Sequence, residues 1–235
     1  MDIHLTHSVR SPLALIRRLM WIYLALFVLS ESVTVWFGFP WLEAWLCLSN
    51  HGGILGQTWR LITYSFLHAS LLHIGVNLWL FYSLARFLLA DTLSTKRFLV
   101  TYGLGIVLGG VVWWVVHVDR GYHILQGISA GCLALLTYVC LAYPQKTLSM
   151  LLFFICPIQL QARWILIGIL AFEIFNGLVY ELHDLTSIAH SAHLGGILAG
   201  WLMFNIGRFQ SKTIRYSVHP STIYSVDRSQ DHSGK

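Results

Sequence analysis

The chain has 235 residues, of which 56% are hydrophobic and only 11% are charged, and its mean hydropathy is +0.66. Soluble domains carry about 25% charged residues, so this composition excludes an ordinary soluble globular domain and argues against a disordered chain. The formal net charge is +5, from 15 Lys and Arg against 10 Asp and Glu. Length and composition predict a polytopic membrane protein with roughly six or seven spans of about 20 residues each.

Apolar stretches along the chain predict an all-α membrane protein with six transmembrane helices. The predicted spans are 19–38, 66–90, 98–118, 127–143, 163–180 and 188–207, and residues 148–162 are predicted to approach the membrane along its interface. Arg10, Arg17 and Arg18 precede the first span with no small-residue cleavage site behind it, which indicates an uncleaved span rather than a signal peptide. The predicted segments are an N-terminal cytoplasmic segment (1–18), a six-helix membrane domain (19–207) and a polar cytoplasmic tail (208–235).

The Lys and Arg residues set the predicted orientation of these spans. With the N-terminus inside, thirteen of the fifteen basic residues lie on the cytoplasmic side, and Arg60 and Arg120 lie outside. This bias follows the positive-inside rule, so both termini are predicted to be cytoplasmic (N-in, C-in). The basic charge then faces anionic lipid head groups, and no nucleic-acid partner is expected. The thirteen are Arg10, Arg17, Arg18, Arg86, Lys96, Arg97, Lys146, Arg163, Arg208, Lys212, Arg215, Arg228 and Lys235.

The four cysteines, Cys47, Cys132, Cys140 and Cys156, show no CxxC and no Cys/His metal spacing. The last three lie inside apolar stretches. They are interpreted as small buried hydrophobic residues, with neither a disulfide framework nor a zinc site.

Polar and ionisable side chains inside predicted spans are costly and therefore mark candidate functional residues. At about 1.5 Å per residue, four of them, on three different helices, lie within roughly 15 Å of the outer surface, namely His73, Asn77, Ser129 and His193. Polar groups scattered for structural reasons would not be expected to share one level. The full set is Glu31, His68, His73, Asn77, Ser129, Glu173, Asn176, His190 and His193.

A hydroxyl and an imidazole at one depth favour an activated serine, with His193 as general base and Ser129 as nucleophile. His73, Asn77 and the backbone N–H of Ser129, in the first turn of its helix, can donate to a developing oxyanion. Because no acidic residue lies close in sequence to His193, we expect a Ser–His dyad rather than a triad.

Glycines support this arrangement. Small residues surround the serine in Gly127-Ile128-Ser129-Ala130-Gly131, and Gly196 and Gly200 share the helical face of His193. Small residues let membrane helices pack backbone to backbone, so span 6 is expected to pack on span 4 with His193 near Ser129. The GxSxG string is also typical of an α/β-hydrolase elbow, but no strand of that kind precedes it here.

These residues together resemble the rhomboid family of intramembrane serine proteases, over about residues 12–208. The matching motifs are Trp59-Arg60, Phe66-Leu67-His68 with His73-Ile74-Gly75-Val76-Asn77, Gly127-Ile128-Ser129, and His193 with Gly196 and Gly200. The resemblance implies that Ser129 is the nucleophile, that His193 is the base, and that His73, Asn77 and the Ser129 amide form the oxyanion hole.

The resemblance further implies that Trp59 and Arg60 have a structural role in a loop lying partly in the membrane. It implies single-span protein substrates, cut near the outer end of their helix, and no metal or cofactor. Three positions depart from the family pattern. Ala130 occupies a position that is usually Gly in the family, and Leu133 occupies one where an aromatic residue often packs on the catalytic histidine. Leu89 occupies a position that is often acidic, and the nearest acidic residue here is Asp91.

Structural interpretations stay open for the candidate residues. Ser129 could instead be a helical serine that bonds its own backbone, and His193 a histidine that serves only in packing. His73 and Asn77 could form an interhelical hydrogen bond. His68 and His190 are interpreted as interfacial or supporting residues. Glu31, Glu173 and Asn176 are interpreted as forming interhelical hydrogen bonds. The alternative for Glu31 is contact with water, and the alternative for Glu173 and Asn176 is that they line a water-filled cavity or a substrate gate.

The sequence therefore predicts an intramembrane serine endopeptidase that cleaves transmembrane segments through an acyl-enzyme. The alternative is a catalytically inactive relative that binds membrane proteins without cutting them. A transporter or channel is disfavoured, because it would show paired broken helices in two related halves. Without an Arg- and Ser-rich presequence, we expect a bacterial cytoplasmic membrane with the site facing the non-cytoplasmic side; the sequence points to no particular oligomeric state.

Overall fold

The computed structural model describes residues 12–51, 54–152 and 156–217. Within them, four helical segments are long and apolar enough to cross a membrane: Pro12–Phe37, Leu71–Ala90, Thr95–His117 and Ala162–His183. They correspond to α1 (Pro12–Phe37), α4 (Leu71–Asp91), α5 (Thr95–His117) and α7 (Ala162–Val179), the last followed by a 3₁₀ turn at Glu181–His183. The chain is thus a mostly helical integral membrane protein.

Shorter elements connect these helices. Two short helices, α2 (Trp41–Leu46) and α3 (Arg60–Thr63), and two 3₁₀ turns (Ile54–Gln57 and Tyr64–Phe66) lie between α1 and α4. Helix α6 (Ser129–Ala142) has 14 residues, and α8 runs over His190–Ser217. Two small antiparallel sheets pair β1 (Leu48–Ser49) with β2 (Ile124–Leu125), and β3 (Thr147–Leu152) with β4 (Cys156–Gln161).

Several predicted boundaries differ from the structure. The second long helix begins at Leu71 rather than 66, because the Ser70 hydroxyl caps it by accepting from the His73 N–H at 3.1 Å. His68 therefore lies before the helix. Residues 148–162 were predicted as an interfacial approach, but β3 (Thr147–Leu152) and β4 (Cys156–Gln161) pair there as antiparallel strands.

Helices α1 and α8 extend beyond the predicted spans. α1 begins at Pro12 and α8 continues to Ser217, so the predicted segment boundaries at 18 and 208 fall inside helices. Of the predicted cytoplasmic segments, residues 1–11 and 218–235 lie outside the described residues. The chain forms two units, one through Phe204 and one from Asn205 onward, whose described part is helical.

The core lies between α1, α4, α5 and α6. Phe81 of α4 packs on Phe98 and Tyr102 of α5, with ring centroids 5.9 and 4.8 Å apart. The hydroxyls of Tyr23 and Tyr102 lie 2.8 Å apart in this core and satisfy each other. By contrast, α1 and α7 expose large apolar side chains along their lengths, as helices that face lipid do.

Candidate active site

Ser129 is the first residue of α6, and a glycine turn sets its position. Gly127 has φ +110°, a backbone conformation that favours glycine. Its N–H donates to the carbonyl of Tyr64 at 3.1 Å, and the Tyr64 hydroxyl donates to the carbonyl of Ile106 at 2.7 Å. The turn before the serine is therefore tied both to the segment that precedes α4 and to α5.

His193 lies in the first turn of α8 and meets Ser129 across the interface between α8 and α6. Its Nε2 lies 2.9 Å from the Ser129 Oγ, and both side chains are half-buried. A methyl group at Gly196 would overlap the carbonyl oxygen of Ala130, and one at Gly200 that of Ala134. The two glycines thus allow the close backbone approach that brings the imidazole to the hydroxyl.

The methyl group of Ala130 occupies space that a third glycine leaves open. A Cβ placed on Gly109 of α5 would lie 2.5 Å from the Cβ of Ala130 and 3.0 Å from the carbonyl oxygen of Ala192. The departure from the family's usual glycine at 130 is therefore accommodated by α5. Leu133, one turn along α6, is buried.

His73 and Asn77 of α4 converge on the same turn. A Cβ on Gly127 would lie 2.8 Å from the His73 Nε2 and 3.5 Å from the Asn77 Nδ2. The N–H of Ala69 approaches the His73 Nδ1 at 3.4 Å, which leaves the ring proton on Nε2 and makes that atom a donor. Among the described residues the buried Asn77 Nδ2 has no hydrogen-bond partner. Two side-chain donors thus face the turn that precedes Ser129.

A carboxylate on α7 contacts the histidine. Glu173 Oε2 lies 3.0 Å from the His193 Nδ1 and 2.6 Å from the His190 Nδ1. The His190 contact is a well-directed hydrogen bond, whereas the N–H direction at His193 Nδ1 is not aligned with the oxygen. The expectation of a dyad rested on the absence of an acidic residue close to His193 in sequence. Glu173 lies 20 positions earlier in the chain, but the fold brings its carboxylate next to His193.

A second carboxylate, Glu181, holds the start of α8. Its two oxygens accept from the Ser191 N–H and the Ser191 hydroxyl, each at 2.6 Å. A carboxylate at a helix N-terminus satisfies free amides and interacts favourably with the helix dipole. Glu181 was not among the sequence candidates, because it lies nine residues before the start of α8, outside the positions at which a capping residue is recognised from sequence.

Comparisons with known proteins identify the family. A family model described as Rhomboid domain matches residues 55–208, which is 154 of the 235 residues. The chain belongs to the rhomboid family.

Curated relatives in the family include bacterial and protozoan proteins. The chain is 30% identical over 167 residues to the rhomboid protease GlpG of Yersinia pestis (strain Pestoides F), covering 68% of this chain and 52% of that one. It is 27% identical over 192 residues to GlpG of Yersinia enterocolitica, covering 77% and 58%, and 35% identical over 82 residues to Rhomboid-like protease 3 of Toxoplasma gondii, covering 32% and 31%. The chain spans about half the length of the GlpG relatives.

The rhomboid loop motif Trp59-Arg60 contacts backbone rather than the serine. The Arg60 guanidinium donates to the carbonyls of Ala44 at 2.6 Å and Cys47 at 3.2 Å, and the Trp59 indole N–H donates to the carbonyl of Trp45 at 3.2 Å. These bonds fold the segment between α1 and α4 onto itself, which fits the predicted structural role.

The remaining candidates of this rhomboid chain lie apart from the Ser–His contact. Glu31 is exposed on α1, and Asn176 donates to the carbonyl of Phe172 in its own helix at 2.8 Å, so the predicted interhelical bond of Asn176 is wrong. His68 is buried, with its ring 5.0 Å from that of His73, and burial, with His73 nearby, lowers its pKa to about 3.

The three cysteines whose side chains are described behave as predicted. Cys47, Cys132 and Cys140 are buried free thiols. Cys47 lies outside the long apolar helices, and burial raises its pKa to about 12, so it stays protonated. The side chain of Cys156 lies outside the described residues.

Proposed function

We propose that the chain is an intramembrane serine endopeptidase that cleaves transmembrane substrates near the outer face of the bilayer. The observation that carries this proposal is the 2.9 Å contact between the Ser129 Oγ and the His193 Nε2, at the distance that general-base activation of a serine requires. Membership of the family and the glycine packing of α8 on α6 support it.

In this mechanism the Ser129 Oγ bonds to the scissile carbonyl carbon while its proton passes to the His193 Nε2. The electron pair of the carbonyl moves to its oxygen, which accepts hydrogen bonds from His73, Asn77 and the Ser129 N–H. The intermediate collapses, the amine leaves with the proton from Nε2, and an acyl-enzyme remains. Water hydrolyses it through the same two proton transfers. No cofactor or metal has a part in these steps.

The length of α6 supports a site below the membrane surface. Its 14 residues span about 21 Å, whereas the hydrocarbon core is about 30 Å thick. If the C-terminal end of α6 reaches the cytoplasmic interface, Ser129 lies about 10 Å below the outer surface. Water and an unwound substrate segment would enter from that side.

For the topology we propose six spans, α1, α4, α5, α6, α7 and α8, with both termini cytoplasmic. The distribution of Lys and Arg supports this orientation. The proposal keeps a cytoplasmic segment (1–18), the membrane domain (19–207) and a polar tail (208–235), in a bacterial cytoplasmic membrane with the site on the non-cytoplasmic side. The partners are the lipid bilayer and transmembrane protein substrates.

The test is labelling of the detergent-solubilised full chain with a fluorophosphonate, together with cleavage of a reporter polypeptide. The reporter carries one apolar segment of about 20 residues interrupted by Gly and Ala. Ser129→Ala should abolish both labelling and cleavage while the protein stays folded. The matched control is Ser83→Ala, because the Ser83 hydroxyl bonds the carbonyl of Trp79 in its own helix at 2.8 Å and plays no part in the proposed reaction.

Cleavage that survives Ser129→Ala would remove the serine from the mechanism. A wild-type protein that is folded yet neither reacts with the fluorophosphonate nor cuts the reporter would favour the non-cutting binding module instead.

A further inference from the structure

Beyond the Ser–His contact, His193 meets two buried titratable side chains. Behind His193, Glu173 on α7 lies with its Oε2 3.0 Å from the His193 Nδ1, and His190 lies on the far side of the same oxygen at 2.6 Å. Glu173 is 6% exposed and His190 2%. A buried carboxylate is costly without partners, and among the described residues these two imidazoles are the side chains that contact it at hydrogen-bonding distance.

We propose that Glu173 is a positioning residue for the serine reaction, so that the chain uses a Ser129–His193–Glu173 triad rather than a Ser–His dyad. This inference rests on the proposed function. A carboxylate oxygen facing a ring nitrogen requires that nitrogen to carry the proton, because an ionised carboxylate only accepts. With the proton on Nδ1, the Nε2 of His193 is left as the acceptor for the Ser129 hydroxyl.

The carboxylate would also stabilise the imidazolium that forms when His193 takes the serine proton. The proton itself stays on the imidazole, and Glu173 remains ionised throughout, which is the role of the acid in other Ser–His–acid sites. His190 anchors the carboxylate, because its Nδ1–H occupies the same oxygen and limits rotation of the glutamate side chain. His190 and His193 of α8 thus both contact Glu173 of α7.

Two histidines and a glutamate could also bind a metal ion, and the ligand atoms of Glu173, His190 and His193 lie within 4.8 Å of one another. Two ligands of a tetrahedral zinc are about 3.3 Å apart, given metal–ligand distances near 2.0–2.1 Å. The 2.6 Å between Glu173 and His190 is instead a hydrogen-bond length. The spacing therefore favours a hydrogen-bonded carboxylate.

The decisive variant is Glu173→Gln, which keeps the shape of the side chain and removes its charge. We expect kcat for the reporter polypeptide to fall about 100-fold with KM within about twofold of wild type. The loss is smaller than the roughly 10⁴-fold seen when an aligned triad acid is neutralised, because the His193 contact is not aligned and the oxygen is shared with His190. Glu173→Asp, which restores the charge, should recover activity to within about tenfold of wild type.

The matched control is Glu181→Gln. Glu181 is also buried and also ties the turn after α7 to α8, but it contacts Ser191 and, at 3.8 Å, His117 rather than His193. Both variants should lower the thermal midpoint, and only Glu173→Gln should lower kcat beyond about twofold. Equal kcat in the two variants would show that Glu173 is merely a structural tie and would overturn the proposal. So would activity that is lost on chelation and restored by Zn²⁺.

A spectroscopic measurement separates this inference from the proposed function. The measurement is the ¹⁵N-histidine spectrum of the full chain in micelles, in which the His193 signal is assigned by its loss in His193→Asn. This signal should show the proton on Nδ1 in wild type and a mixture of tautomers in Glu173→Gln. Identical tautomers in both proteins would overturn the role of Glu173 even in a chain that cuts nothing. A wild-type chain without labelling or cleavage, but with this tautomer shift, would contradict the proposed function and leave the positioning role standing.

Discussion

Asn77 allows catalysis and stability to be separated in one substitution. Its Nδ2 is buried and has no hydrogen-bond partner among the described residues, and it faces the turn before Ser129. A buried donor without a partner costs about 1–3 kcal/mol in the resting protein. The same donor would bond the oxyanion in the transition state, where loss of one such bond costs about 10²- to 10³-fold in kcat, or about 2.7–4 kcal/mol.

Asn77→Leu keeps the branched shape of the side chain and removes the amide. We expect kcat to fall at least 100-fold with KM little changed, while the free energy of unfolding stays equal to that of wild type or rises by about 1 kcal/mol, because an unpaired donor is removed from the interior. The assays are reporter cleavage and SDS titration in mixed micelles. Asn176→Leu is the control, since that amide bonds its own helix.

Two results would refute this reasoning about Asn77. A fall in the free energy of unfolding of more than about 2 kcal/mol would mean that the amide is an interhelical tie, as the alternative interpretation of the sequence holds. Retention of more than a tenth of kcat in a stable variant would mean that the amide does not contact the oxyanion.

Two further predictions concern packing and pH. Gly196→Ala places a methyl group against the carbonyl of Ala130, so we expect it to destabilise the protein by about 1–3 kcal/mol and to remove most fluorophosphonate labelling. The control is Gly168→Ala, where space is open, and it should change neither stability nor labelling. Equal effects of the two variants would contradict the packing argument. The pKa of His68 is about 3 in the folded protein and about 6.5 in the unfolded chain. Between these values His68 is protonated only in the unfolded chain, so its contribution to the free energy of unfolding is present above pH 6.5 and is lost as the pH falls towards 3. Wild type should therefore lose about 2 kcal/mol more than His68→Phe between pH 8 and pH 5 in SDS titrations, and parallel losses would show that His68 does not titrate this way.

The Ser129–His193 contact could be predicted from the sequence because one helical periodicity and one cluster of small residues point to it. Gly196 and Gly200 share the helical face of His193, and small residues surround Ser129. The face of a helix that carries small residues is the face that approaches another helix most closely. Depth within the membrane, counted at 1.5 Å per residue, then brought the two side chains to one level, and the structure has them 2.9 Å apart.

The partner of His193 on its other side could not be predicted in this way. Spacing along a helix gives the face of Glu173 on α7 and of His190 and His193 on α8, but not the rotation of one helix against the other. Glu173 lies 20 positions before His193, too far along the chain for sequence proximity to indicate the contact. The cost of a buried carboxylate was the available signal: the Glu173 charge needs a partner, and two histidines with i, i+3 spacing follow within the next span.

The pairing of β3 with β4 could not be predicted for a different reason. A short apolar stretch with a proline near its middle has no period long enough to distinguish a strand from an interfacial segment. Pairing of β3 with β4 satisfies backbone groups that a single extended segment would leave open. The pairing partner, and not the residue composition, decides the structure of this segment.

Position and orientation of the His193 imidazole have separate origins in this fold. Its position depends on backbone contact, since Gly196 and Gly200 let α8 approach α6 to a distance that side chains would prevent. In the proposed triad its orientation depends on α7, where Glu173 faces the Nδ1. A dyad must fix the ring by packing alone, and the aromatic residue that often does so in the family is replaced here by Leu133. In the proposed triad the carboxylate behind the ring supplies that restraint by a different means, and its two imidazole contacts offset the cost of burying it.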